Sequence, residues 1–207
     1  HRAVRRQPLP PTQFHPLPTT HVIRIDMANI IKEFHRKKII RDLKNAPREK
    51  KIDNIDEIKT IGVICRLDSE QNWNILHHFA KVMENKDKKV HIIALLPKDQ
   101  ELGFVITHQH TYICRSKTDF NMWGLPNAEA INPFIERHYD LLIDTIGEEN
   151  FFAQYVALRT NASLKVVYAT PSEDPSEVFD MIIRGDGAVD LKYFFNNVIE
   201  YLGMIHK

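Results

Sequence analysis

The sequence predicts an α/β fold: a single doubly wound, mostly parallel, Rossmann-like sheet preceded by a basic N-terminal helix. Three observations predict it, namely short continuous apolar runs, helical apolar patterns between those runs, and a length of 207 residues, enough for one such domain. The clearest unit is residues 139–161, where the apolar run 141–143 leads directly into a helical pattern over residues 151–158. The next apolar run, residues 164–169, is expected to return as a parallel strand.

Residues 1–26 carry five of the eleven prolines and show no hydrophobic periodicity, which predicts a disordered, proline-rich segment. Met27 directly precedes a helical pattern, and we therefore expect translation to begin there. No signal peptide and no membrane span is predicted, because no window approaches the ~18 consecutive apolar residues of a span. Cys65 and Cys114 each lie within an apolar run and are expected to be buried, reduced thiols of a cytoplasmic protein.

Residues 27–51 are predicted to form a basic helical region, in which helix formers dominate until Pro47 ends the run. This region holds nine Lys or Arg against three acids, whereas residues 52–207 hold fifteen against twenty-three. Such asymmetry predicts that the helix binds an anionic partner, either an acidic protein or a nucleic acid; the alternative is that it folds back onto its own acidic domain. The candidate partner-binding residues are Arg36, Lys37, Lys38, Arg41 and Lys44.

The apolar residues of this helix do not form one stripe. Two groups fall on nearly opposite sides, the first made of Met27, Ile30, Ile31 and Phe34 and the second of Ile39, Ile40 and Leu43. Either the helix breaks near Arg36, or it packs against different neighbours at its two ends. A helix lying on a membrane needs one continuous apolar face, so this pattern disfavours it.

Residues 52–207 are predicted to be the α/β domain, connected to the helix by a charged linker at residues 48–59. Strands are expected at residues 60–65, 89–97, 111–115, 141–143, 164–169 and 179–184, and helices at about 68–83, from 127, at 151–158 and at about 190–206. Pro133 is expected to split the helix that begins at Asn127. The connection 98–110 is expected to be extended, with an edge hairpin as the alternative. The loop 119–126 either plugs one end of the sheet, which we favour, or forms a binding lip.

The most distinctive stretches of the body are residues 119–126 (Asp-Phe-Asn-Met-Trp-Gly-Leu-Pro) and 139–144 (Tyr-Asp-Leu-Leu-Ile-Asp). With these marks, residues 61–206 resemble a bacterial family of small proteins known only as a domain of unknown function, a resemblance that implies no activity. Residues 139–161 and 165–167 are also similar to the acceptor-side domain of heptosyltransferases, where a Tyr-Asp-Leu-Val-Ile-Asp strand leads into a similar helix. Those enzymes need a second Rossmann domain for the nucleotide-sugar, so this likeness implies only half of such an enzyme.

Three acids follow predicted strands and are the candidate catalytic residues: Asp68 after the first strand, and Asp144 and Glu148 after a central one. Acids collect at this edge of α/β sheets for base or metal chemistry, and Asp68 and Asp144 are placed to flank a common crevice. We favour the alternative, in which both aspartates cap turns or helices and Glu148 favours the positive end of a helix, so no catalytic residue is assigned.

No cofactor is predicted, because the turn after the first strand lacks the glycines of a dinucleotide site and the sequence has no P-loop. No metal is predicted either, because His108, His110 and Cys114 are not completed to a zinc site by a further cluster. We therefore expect a non-catalytic α/β binding or adaptor protein whose basic helix engages an anionic partner. The alternative is a small enzyme, or a degenerate glycosyltransferase-like domain, that uses Asp68 and Asp144 on a nucleotide or sugar.

Overall fold

The computed structural model describes residues 27–44, 47–97, 103–104, 106–147, 150–172, 174–187 and 189–205. The predictions for residues 1–26 and for Glu148 lie outside these residues. The strands are β1 (Thr60–Arg66), β2 (Lys89–Leu96), β3 (Thr111–Arg115), β4 (His138–Asp144), β5 (Asn161–Ala169) and β6 (Met181–Arg184). The helices are α1 (Met27–Lys44), α2 (Glu70–Glu84), α3 (Ala128–Ile135), α4 (Phe151–Arg159) and α5 (Leu191–Gly203).

All six strands pair in parallel in the order β3-β2-β1-β4-β5-β6, which confirms the predicted single α/β sheet. The direction of winding reverses between β1 and β4, where Ile61 pairs with Leu141 and Ile64 with Asp144. In open α/β sheets, ligands bind in the crevice beyond the carboxyl ends of the strands at such a switch point. The place to look first for a site therefore lies just after β1 and β4.

Two apolar cores cover the two faces of the sheet. α2 and α5 pack on one face, with Trp73 and Phe194 among the buried side chains, and α3 and α4 cover the other, with Phe134 and Phe152. Burial on both faces explains why the central strands are continuous apolar runs instead of alternating ones. At Gly62 in β1, an added Cβ would lie 3.0 Å from both Leu142 and Phe134, so the close packing between β1 and α3 favours glycine.

The predicted split of α3 is wrong, because Ala128–Ile135 forms one helix with Pro133 inside it. Pro133 lies in the last turn, so only one backbone hydrogen bond is lost and little helix remains to be kinked. Its carbonyl accepts a hydrogen bond from Nε of Arg137 at 2.9 Å. Within its described residues, the connection from β2 to β3 contains no helix, as expected for an extended crossover.

The connecting segment, residues 47–59, is irregular but is attached to the body along its length. The amide of Lys51 donates to the carbonyl of Ser163 at 3.1 Å, and the amide of Ile55 donates to that of Leu202 at 3.2 Å. Ile55 and Ile58 are buried in the core beneath α5 and α2. Residues predicted to be a linker therefore form part of the folded domain.

None of the helices in the described parts of the chain is long and apolar enough to cross a membrane.

Candidate functional site

α1 is a continuous helix that packs on the body, so of the two explanations left open by its apolar pattern, a break near Arg36 is excluded. The guanidinium of Arg36 lies 4.7 Å above the centre of the Phe151 ring at the start of α4. The rings of His35 and Trp123 are 5.1 Å apart, and Ile40 is buried. The side of α1 that carries Ile40 thus faces α4 and the loop 119–126.

The opposite side of α1 is exposed and mixes apolar and cationic residues. We call it the outer strip; it consists of Ile30, Ile31, Phe34, Lys37, Lys38 and Arg41, all exposed. At 100° per residue these six positions fall within an arc of about 120°. Phe34 is 73% exposed and the two isoleucines are about half exposed. The N-terminal half of the strip is therefore apolar and the C-terminal half cationic.

The five predicted partner-binding residues are divided between the two sides of α1. Arg36 is turned inward, where it also pairs with Glu33 at 2.9 Å. Lys44 forms an ion pair with Glu177 of the body. Lys37, Lys38 and Arg41 belong to the outer strip; Arg41 lies 3.6 Å from Asp42, and no ion pair within the described residues involves Lys37 or Lys38. α1 thus folds back on the body and still presents cations to solvent.

The loop 119–126 supports α1 and α4. The side-chain oxygen of Asn121 accepts hydrogen bonds from the amides of Trp123 and Leu125 at 2.9 and 3.0 Å, which fixes the turn. Phe120 packs 6.0 Å from the Phe152 ring, whereas Met122 is 83% exposed. The loop therefore closes the side of the domain under α1 and leaves one large apolar side chain at the surface.

Asp144 ends β4 at the switch point and is completely buried. Its Oδ1 accepts hydrogen bonds from the amides of Ile146 at 2.8 Å and Gly147 at 3.4 Å, the turn-capping role considered above. Its Oδ2 has no hydrogen-bond partner among the described residues. Burial in these apolar surroundings raises the pKa of Asp144 to about 7, although the two amides oppose the shift.

Asp68 lies at the same edge of the sheet but on the other side of it. It is exposed and accepts a hydrogen bond from Nδ2 of Asn72 at 3.0 Å, while Ser69 caps α2. Asp68 and Thr145 line a crevice of about 40 Å³ that Asp144 does not line. The register pairs Asp144 with Ile64, which faces the opposite core, so the two carboxylates do not flank one crevice.

The crevice at the switch point is small for a ligand. Its volume of about 40 Å³ is close to that of one water molecule, about 30 Å³ in the liquid. Leu67 and Trp73 fill the space beside it and are almost completely buried. Within the described residues, therefore, the usual ligand position of this fold offers only a narrow crevice with polar and apolar walls.

A charged cluster at the opposite, amino-terminal edge of the sheet was missed by sequence reasoning. Arg48 donates to both carboxylate oxygens of Asp180, at 2.5 and 2.6 Å, and to the carbonyl of Ala162 at 3.0 Å. Lys50 is 3.0 Å from the same carboxylate, and the amide of Lys165 donates to it at 2.9 Å. Burial alone would raise the pKa of Asp180, but these hydrogen bonds lower it. The signal in the sequence was Lys165, a lysine inside the apolar run 164–169.

The histidines and cysteines considered above are accounted for by local contacts. His108 lies between Glu84 and Thr111, at 3.0 and 3.1 Å. Cys65 and Cys114 are buried free thiols, as predicted, and burial raises the pKa of Cys114 to about 12. The described part of the chain contains no group of side chains arranged to hold a metal ion.

Comparison with known protein families matches residues 32–205 to DUF6913, which is described only as a family of unknown function. The matched region begins in α1 and extends past α5, so it includes most of α1 as well as the sheet. No curated protein and no solved structure shows a significant similarity to the chain.

Proposed function

Since the chain belongs to DUF6913, a family of unknown function, we propose its function from the surface that it exposes. It is a non-catalytic binding protein that takes an acidic protein segment onto the outer strip of α1. The observation that carries this proposal is the exposure of Phe34 and its two neighbouring isoleucines on the same side of α1 as three cations. The free thiols fit a reducing, cytoplasmic setting for this binding.

The composition of the outer strip indicates the chemistry of its partner. Large apolar side chains grouped at the surface mark interaction sites, because their exposure to water is unfavourable. Lys37, Lys38 and Arg41 continue the same line along the helix, and they favour acidic groups on whatever covers the strip. A partner segment with apolar residues at one end and acidic residues at the other complements both halves.

An acidic protein fits the strip better than a nucleic acid does. Nucleic-acid binding depends on many phosphate contacts from Lys and Arg, whereas half of the strip is aliphatic or phenyl surface. Arg36 and Lys44, which were candidates for such contacts, are held in ion pairs with Glu33 and Glu177. Binding to a nucleic acid is thus kept as an outcome of the test.

The test is affinity capture from the native lysate with a triple variant, Phe34→Ser/Lys37→Gln/Lys38→Gln. We expect it to lose partners that the wild-type chain retains, and those partners to carry acidic segments. The matched control is Ile52→Ser/Lys81→Gln/Lys86→Gln, which removes one exposed apolar residue and two exposed lysines elsewhere. Equal partner sets for wild type and the strip variant would refute the proposal. Partners lost from wild type after nuclease treatment would assign the strip to nucleic acid instead.

The second candidate, a small enzyme that acts on a nucleotide or sugar, has one observation in its favour. Asp144 is a buried carboxyl with a pKa of about 7 at the switch point, and perturbed groups of this kind concentrate in active sites. The adjoining crevice is too small for a nucleotide, so this candidate ranks second. A thermal shift with nucleotides or nucleotide-sugars that Asp144→Ala abolishes would reverse the ranking.

A further inference from the structure

A cationic cleft lies at the amino-terminal edge of the sheet, away from the outer strip. It has a volume of about 590 Å³ and is enclosed by the end of α1, the start of the connecting segment, the end of α4 and the starts of β4 and β5. Five Lys or Arg side chains line it against two glutamates, Glu49 and Glu177. The five cations are Lys44, Arg48, Lys50, Arg159 and Lys165. His138 and Asn161 add polar groups to the wall.

Ion pairs within the described residues do not neutralise all of this positive charge. Arg48 and Lys50 share one carboxylate, that of Asp180, and Lys44 pairs with Glu177. Arg159 interacts with a neutral group, donating to the hydroxyl of Tyr155 at 2.9 Å. The cleft therefore carries more cations than its own acids neutralise.

The innermost cation of the cleft is Lys165. Its side chain is only slightly exposed, and Nζ donates to the carbonyl of Ala157 at the end of α4. An ammonium group can donate two further hydrogen bonds. Burial and the nearby positive charge of Arg48 lower the pKa of Lys165 to about 8. A buried lysine beside other cations costs stability, and an anion in the cleft would offset that cost.

We propose that this cleft binds a small phosphorylated molecule, with Lys165, Lys50 and Arg159 contacting its phosphate oxygens. A phosphate group accepts several hydrogen bonds at once, and it suits cations that converge from different elements. The volume lies in the range of small-molecule sites, whereas a macromolecular anion would reach only the rim. This inference does not rest on the proposed protein partner, because the outer strip and the cleft share no residue.

The test is isothermal titration of the full chain with pyrophosphate, with citrate as a non-phosphate anion at equal ionic strength. We expect saturable pyrophosphate binding that is at least about tenfold weaker in Lys50→Gln/Arg159→Gln. The matched control, Lys81→Gln/Arg115→Gln, removes one exposed Lys and one exposed Arg from other surfaces and should bind like wild type. A second variant, Lys165→Met, keeps the aliphatic stem and should also lose binding by about tenfold or more.

Three results would overturn the inference: no pyrophosphate binding by the wild-type chain, equal weakening in the cleft and control variants, or citrate binding as tight as pyrophosphate binding. The outer-strip variant Phe34→Ser/Lys37→Gln/Lys38→Gln should bind pyrophosphate normally. Partner capture by the outer-strip variant and pyrophosphate binding by the cleft variants are measured separately. Either proposal can therefore fail alone.

Discussion

Asp144 and Lys165 are buried charged groups whose surroundings oppose their charge. Asp144 has a carboxylate oxygen without a partner in the described structure, and Lys165 lies among other cations. In both, burial favours the neutral form, so it raises the pKa of Asp144 and lowers that of Lys165. A shifted pKa makes the free energy of unfolding depend on pH, so each residue can be tested through stability.

For Asp144 the folded-state pKa of about 7 lies above the ordinary value of 3.8. The protonated carboxyl therefore favours the folded state below about pH 4, and this contribution is lost as the pH rises to about 7. Asp144→Asn keeps an acceptor for the amides of Ile146 and Gly147 but does not titrate. We expect the free energy of unfolding of the variant, relative to that of wild type, to rise by a few kcal/mol as the pH increases across this interval. Each pKa unit is worth about 1.4 kcal/mol.

Denaturant unfolding of both chains from about pH 4 to pH 8 measures this difference. Because other groups titrate equally in the two chains, only the difference between them reports on Asp144. A difference that stays constant with pH would show that Asp144 does not ionise in this interval. Asp140, whose pKa is lowered, should not contribute to it.

For Lys165 the contribution to stability changes with pH in the opposite direction, because its pKa is lowered from 10.5 to about 8. Its charged form destabilises the fold below about pH 8, and the penalty disappears above the ordinary pKa. Lys165→Met should therefore raise the free energy of unfolding at pH 7 by about 1–2 kcal/mol, after the loss of the hydrogen bond to Ala157. The gain should shrink at about pH 10. A destabilised variant at neutral pH would show that the lysine supports the fold.

At the scale of elements, the position of α1 is set by a turn that approaches it closely. Gly124 has φ of +75°, and an added Cβ would lie 2.2 Å from a terminal nitrogen of Arg36 and 2.9 Å from Cε of Lys32. The same guanidinium lies 4.7 Å above the ring of Phe151, so a displacement of Arg36 by such a Cβ would disturb that contact. The loop and the helix therefore depend on each other.

We expect Gly124→Ala to loosen α1, because alanine opposes the positive φ by about 1 kcal/mol and displaces Arg36. Hydrogen exchange should become faster in the amides of α1 and remain unchanged in β1 and β4. The control is Gly103→Ala, where an added Cβ meets nothing within 4 Å. Unchanged exchange in α1 would mean that contacts elsewhere, such as those of Ile40, hold the helix.

At the scale of the whole molecule, the two cores lie in the body of the domain. Among the described side chains of α1, none belongs to either core cluster, although Ile40 is buried against the body. The outward-facing apolar residues Ile30, Ile31 and Phe34 are at least half exposed and so bury little surface on the body. The sheet and its covering helices thus contain the contacts needed for a cooperative unit.

A chain comprising residues 47–207 should therefore fold without α1. We expect cooperative unfolding with a lower free energy of unfolding than that of the full chain, because Phe151 loses the guanidinium of Arg36 and the surface covered by Ile40 becomes exposed. Fluorescence reports on the core through Trp73, which is 3% exposed, when both chains carry Trp123→Phe, because Trp123 contacts His35 of α1. Loss of the cooperative transition would show that α1 is an integral part of the fold.

Much of the fold and less of the site could be predicted from the sequence. Runs such as residues 89–97 identify strands because a parallel strand is apolar on both sides, and Phe151–Arg159 shows helical spacing. Lys37, Lys38 and Arg41 were correctly expected in a helix. The sequence does not predict the ion pair between Arg48 and Asp180, because they are 132 residues apart and their contact exists only after β5 and β6 align.

The sequence by itself determined the fold class, the basic helix and the asymmetry of charge, because each is a local property of composition or periodicity. The tertiary structure alone decided which side of α1 faces the body, that Asp68 and Asp144 lie on different sides of the sheet, and that five cations line one cleft. These features arise when residues far apart in the chain are brought together. No local pattern encodes such proximity, because it depends on strand order and register.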